Sequence, residues 1–139
     1  MKKVFQSTIP LIIVLSIVVL VVLLEKQTVK EPSPTFAIET VSSTCMSEPH
    51  DLEISAEGKS IVITAPLFTP NPCYSVTGDV RFNGRNVDVD LTPVYRGGVC
   101  IQCLGEVTGK VVIQNLSAGS YNVKVTTTNG LATTIVRIE

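Results

Sequence analysis

Residues 97–105 read GGVCIQCLG and set Cys100 and Cys103 in a C-x-x-C spacing. Sulfur at that spacing serves three chemistries. A thioredoxin-type couple opens a helix whose N-terminus lowers the thiol pKa. A structural zinc site uses the motif as one of two knuckles. Two separate disulfides use it as two attachment points. The flanking residues are Val99, Ile101 and Leu104, with no basic or histidine neighbour in sequence. These are strand formers, and they give a redox thiolate no support. Only one C-x-x-C is present, so a zinc site would need Cys45 and Cys73 to complete it.

The other chemistry-bearing residues are few. The stretch CMSEPH offers Cys45, Met46 and His50, but His50 is the only histidine and a blue-copper centre takes two. His50 reads as a surface residue at the start of a strand. Asp79, Asp88 and Asp90 gather on one face of a hairpin, where a Ca²⁺ ion would find carboxylates but none of the backbone carbonyls of a calcium loop. With Arg81 beside them they read as a solvated polar face. There is no Gly-x-Ser-x-Gly elbow for a nucleophilic serine. The residues thus predict no enzyme, no catalytic residue, no metal site and no cofactor. Asn115-Leu116-Ser117 is an N-glycosylation sequon, relevant where the host glycosylates exported proteins.

The elements that must carry these residues begin with an apolar run. From Ile9 to Leu24 almost every residue is aliphatic, and Val4 and Phe5 extend the stretch. About 20 residues at ~1.5 Å rise cross a ~30 Å hydrocarbon core. The run ends in VVLLEKQ without a small-residue cleavage pattern, so residues 4–24 read as an uncleaved signal anchor. Lys2 and Lys3 keep residues 1–3 in the cytoplasm and place the rest outside, as a single-pass protein of the cell membrane. Residues 25–35, with Pro32 and Pro34, form a short stalk. Over residues 31–139, Lys and Arg number 7 against 11 Asp and Glu. That mildly acidic balance, with no basic run, excludes a nucleic-acid partner on electrostatic grounds.

Residues 36–139 carry strand patterning and no helix. Two Asn-Gly pairs mark hairpins. A turn at Asn83-Gly84 sets Val80 opposite Val87, Gly78 opposite Val89, and Asp79 opposite Asp88. A turn at Asn129-Gly130 sets Val125 opposite Thr134 and Val123 opposite Val136. Leu52, Ile54 and Ala56, then Ile61, Ile63 and Ala65, alternate around Gly58-Lys59. GGVCIQCLG and KVVIQNL add two more strands, and Thr35 to Val41 supplies an edge strand. About eight short strands with regular turns indicate an all-β, immunoglobulin-like sandwich. Gly119-Ser120-Tyr121 before an alternating strand supports this, with Tyr121 as the tyrosine corner.

Strand parity then sorts the cysteines. On a strand, Cys100 and Cys103 point to opposite faces and call for separate partners. Cys73 shares the outward parity of Cys100, which leaves Cys45 for Cys103. The other arrangement, Cys45 with Cys73 and Cys100 with Cys103, would need the strand to break.

NPCY (Asn71 to Tyr74), GGVCIQ (Gly97 to Gln102) and NLSAGSYNVKV (Asn115 to Val125) occur in that order. Together they resemble a loose group of small exported β-sandwich proteins, mainly archaeal and some bacterial, with no established activity. The resemblance covers Cys45 to Glu139 and implies an extracytoplasmic immunoglobulin-like fold and a Cys73–Cys100 bridge. Asn71-Pro72 is also similar to the loop of chagasin-type protease inhibitors, but the Thr-Thr-Gly and Arg-Pro motifs of that family are missing. The expected function is a membrane-anchored extracytoplasmic interaction or structural module, an accessory subunit of a membrane or cell-surface assembly that binds another protein or complex. Two alternatives are a thiol redox or metal-binding protein using the C-x-x-C, and a protease-inhibitor-like module.

Overall fold

The computed structural model describes residues 33–48 and 50–139. The expected cytoplasmic stub, the signal anchor and the stalk up to residue 32 lie outside the described residues. Among the described residues no helix is long and apolar enough to cross a membrane.

Eight strands follow one another: β1 (Thr35–Cys45), β2 (Glu53–Glu57), β3 (Ser60–Thr69), β4 (Tyr74–Asn83), β5 (Asn86–Tyr95), β6 (Gly105–Gln114), β7 (Gly119–Thr127) and β8 (Gly130–Ile138). They form two four-stranded sheets, β1-β6-β3-β2 and β4-β5-β7-β8. Inner faces are set by alternation. Ile61, Ile63, Ala65 and Leu67 of β3 and Val107, Val111 and Ile113 of β6 pack on Val87, Val89 and Leu91 of β5 and Val123 and Val125 of β7. Period-2 alternation places each of these residues toward the opposing sheet. Gly109 takes an inner position where a Cβ would come within 2.8 Å of Val76. The sheets therefore approach closely at that point.

The β-sandwich expectation holds, but the second sheet departs from the antiparallel immunoglobulin pattern. β5 pairs with β7 in parallel, over Asn86↔Asn122 to Asp90↔Thr126. Strands joined this way need a crossover, and here β6 provides it by running through the other sheet. The edge strand β1 is longer than expected and carries a register shift between Thr40 and Ser42. There it ties the sheets together, since Val76 N–H donates to Thr40 Oγ1 at 2.8 Å and Ser43 Oγ donates to Pro72 O.

Both Asn-Gly hairpins form two residues out of the expected register. Asn83 pairs with Asn86, so Gly84 and Arg85 make the loop and Val80 faces Val89. Gly84 is the first loop residue, with φ +59°, and Arg85 lacks a positive φ. That is the Gly-first arrangement of a type II′ turn rather than the Asn-Gly type I′ turn. In the last hairpin Thr127 pairs with Gly130, so the loop is Thr128-Asn129 and Val123 faces Thr134. A shift of two residues keeps every side chain on its face, while a shift of one would invert the sheet.

The sandwich has two distinct ends. At one lie Thr35, the turns at 58–59 and 84–85, residues 115–118 and the C-terminus. At the other lie the four cysteines, residues 46–48 and 50–52, and the Thr128-Asn129 turn. Strand directions fix this division.

Candidate functional site

β5 ends at Tyr95 and β6 begins at Gly105. The strand expected through GGVCIQCLG is a loop. Gly97 and Gly98 have φ of +82° and +92°, a conformation that turns the chain out of the sheet and that residues with a Cβ rarely take. Cys100 and Cys103 both sit on this loop. Cys73 joins Cys100 with a Cα separation of 6.0 Å, and Cys45 joins Cys103 at 5.8 Å. The parity behind the expected pairs does not exist in the loop. Separate partners arise because the loop runs between the end of β1 and the segment entering β4. The closed segments span 27 and 58 residues, and links of that length stabilise by roughly 3–4 kcal/mol each in the chain-entropy model.

Hydrogen bonds brace the same end. Asn71 Oδ1 accepts from Cys73 N–H at 3.0 Å and lies 3.1 Å from Cys100 Sγ. Thr69 Oγ1 donates to Asn71 O at 2.7 Å. Tyr95 donates its hydroxyl to Gly98 O at 2.9 Å, and its ring lies 5.4 Å from that of Tyr74. Arg96 N–H donates to Cys73 O, and Met46 N–H to Leu104 O. The ends of β1, β3 and β5 and the segment entering β4 are thus tied to neighbouring segments.

On this braced platform Val99, Ile101 and Leu104 are 105%, 72% and 67% exposed. Val94 and Tyr95 beside them are also exposed. Three aliphatic side chains held in water by a cross-linked loop form a preorganised apolar surface. Such a surface loses little conformational entropy when a partner covers it. In this pairing neither sulfur of the C-x-x-C has the other as its partner, which a redox couple requires.

The structure also brings together two residues that sequence reasoning kept apart. Glu106 of β6 is 4% exposed, on the outer side of its sheet, and His50 Nδ1 lies 2.6 Å from its Oε1. The His50 backbone N–H reaches Oε2 at 3.4 Å. His50, expected as a surface histidine at the start of a strand, is therefore held against the sheet through Glu106. The two residues are 56 positions apart, and only the even parity of a Glu among Val107, Gly109 and Val111 marks Glu106 as facing outward.

The remaining expected positions are scattered. Asp79 pairs across the sheet with Asp90, and Arg81 with Asp88. Arg81 contacts Asp90 directly and lies 3.9 Å from Asp79. Lys124 is the parallel neighbour of Asp88. Basic side chains thus answer the acidic face. Among the described residues no three of His, Cys, Asp and Glu converge to hold a metal ion. At the opposite end Tyr121 donates its hydroxyl to Ser117 O at 3.0 Å, and Arg85 lies over its ring at 5.6 Å. Asn115 is exposed with φ +61°, and its amide donates to Thr35 Oγ1.

Residues 63–137, more than half of the chain, match a family described as ORF11 beta-sandwich domain. The match runs from β3 to β8 and includes Cys73, Cys100 and Cys103. No curated protein and no solved structure matches the sequence.

Proposed function

We propose, from the premise that the chain belongs to the ORF11 beta-sandwich domain family, that it is a non-catalytic interaction module, an accessory subunit of a membrane or cell-surface assembly. The observation that carries this reading is the tip: Val99, Ile101 and Leu104 stand in solvent on a loop fixed by two disulfides. Residues that serve only folding are buried, and a cross-linked loop that displays aliphatic side chains fits a docking role.

The location we propose is extracytoplasmic, with residues 4–24 as a single-pass anchor. Two disulfides support an oxidising compartment, and the apolar run behind Lys2 and Lys3 supports the orientation. The chain enters the sandwich at the end opposite the tip. The immunoglobulin-like relationship belongs to the same proposal. The Tyr121–Ser117 hydrogen bond supports it, and the parallel β5–β7 pair marks a rearranged second sheet.

Protease added to intact cells tests the location: the reading expects loss of the domain without lysis. Mobility of the native complex from membranes in mild detergent tests the role. The reading expects a partner-bound species that Ile101→Asp dissociates while the variant stays folded. A domain protected until lysis, or wild-type protein migrating alone, contradicts it.

A further inference from the structure

The end that carries the tip also carries a cleft. β2 pairs with β3 only as far as Glu53↔Thr64, so residues 65–69 of β3 lack a strand neighbour on that side. The side chain of Asn129 takes over the exposed backbone, donating to Pro66 O at 2.8 Å and accepting from Phe68 N–H at 3.1 Å. A cleft of about 310 Å³ remains between β3 and the β7–β8 hairpin. Leu52, Ala65, Phe68 and Leu131 give it apolar walls, and His50 and Asp51 stand on its rim. That volume is at the low end of ligand pockets, typically ~300–1,000 Å³, and holds a pair of aliphatic side chains rather than a cofactor.

The charge pattern names an occupant. Next to Asp51, a neighbouring hollow is lined by Glu53 and by Ser42, Thr64 and Thr108. The Glu106 carboxylate is already engaged by His50. Lys110 is the register neighbour of Thr64, and His50, which lines both hollows, is held by Glu106. The rim thus favours a ligand that pairs apolar side chains with a cation. Such a ligand is present in this chain. Between Val94 and Gly105 the only charged residue is Arg96, and the apolar residues around it are the exposed ones.

We infer that the tip of one copy seats in the cleft of a second copy, Ile101 and its neighbours entering between Phe68 and Leu131, with Arg96 against Asp51. Tip and cleft lie at the same end of the sandwich, on opposite flanks. A two-fold axis across that end therefore satisfies both contacts at once, each copy giving its tip and receiving the other. This is a closed, isologous arrangement, with two apolar insertions and two ion pairs. The inference rests on the reading of the tip as an interaction surface and names its partner.

The test is sedimentation of the full-length protein in density-matched detergent across a concentration series. Wild type is expected to dimerise. Ile101→Asp on the tip and Leu131→Asp in the cleft are each expected to weaken the dimer about tenfold or more, the scale of losing a central anchor. Arg96→Asp should weaken it as well, and adding Asp51→Arg should restore it. That rescue cannot come from a misfolded domain, and it separates tip contacts from association through residues 4–24. A monomeric wild type, a dimer unaffected by Ile101→Asp, or no rescue by the charge swap overturns the inference. If the wild type is monomeric while its native membrane complex still depends on Ile101, the second copy is ruled out and the interaction reading stands. Binding of the tip to lipid vesicles in place of a second copy would also overturn it.

Discussion

The two ends of the sandwich solve one problem with different materials. At the end where the chain enters, connections are short. Gly58-Lys59 and Gly84-Arg85 close hairpins with two residues each, and residues 115–118 are locked by Tyr121 and Arg85. At the far end a nine-residue loop, 96–104, spans from one sheet to the other. Too few of its side chains are buried to hold it, so two disulfides and the Asn71 network do so. The comparison shows where covalent links are needed. They stand where the chain displays apolar groups to solvent and the core contributes nothing to holding them.

Breaking the far end should cost most. Cys73→Ser with Cys100→Ser removes a link worth roughly 3–4 kcal/mol in the chain-entropy model. Thermal unfolding should show a Tm drop of many degrees, and proteolysis should begin within 96–104. Equal stability of the double variant would mean that the bridge constrains nothing. His50→Leu comes next. It takes from the buried Glu106 carboxylate its imidazole partner and leaves only the backbone N–H of residue 50, a loss of about 1–3 kcal/mol read by denaturant titration, and replacing Glu106 by Gln at the same time should recover part of it.

The near end should respond less. Gly84→Val forces a β-branched residue to φ +59°, at about 1–2 kcal/mol. An unchanged unfolding midpoint would place the turn elsewhere. Tyr121→Phe deletes one hydroxyl and should cost about 1 kcal/mol, with no effect on disulfide formation. Smallest of all, Ile101→Asp should leave the midpoint within about 0.5 kcal/mol, because its side chain touches solvent. A large loss there would mean that the tip serves folding instead of docking.

Much of this contrast was legible in the sequence, and the failures have physical causes. Alternation gave β2, β3 and β6 and the inner faces of both hairpins, because burial on one face is a local, period-2 constraint. The two-residue slips arose because an Asn-Gly pair does not fix which residues close the turn, since Gly84 opens its loop while Gly130 follows its loop as the first residue of β8, and facing is blind to even shifts. GGVCIQCLG has strand-forming residues, but the paired glycines before them decide the backbone. The second partner of β5 was hidden, since pairing a strand with β7 in parallel depends on a crossover through the other sheet. His50 and Glu106 meet only through the tertiary fold, and no local signal joins them. The cleft likewise exists only because β2 stops short of the end of β3.

The most direct test of the account is a peptide map of the purified protein, alkylated before any reduction. It should yield two cross-linked species, one joining Cys45 to Cys103 and one joining Cys73 to Cys100, with no alkylated cysteine. Alkylation of all four cysteines, or a Cys100–Cys103 link, would contradict a tip held out by two staples and would return the C-x-x-C to redox or metal chemistry.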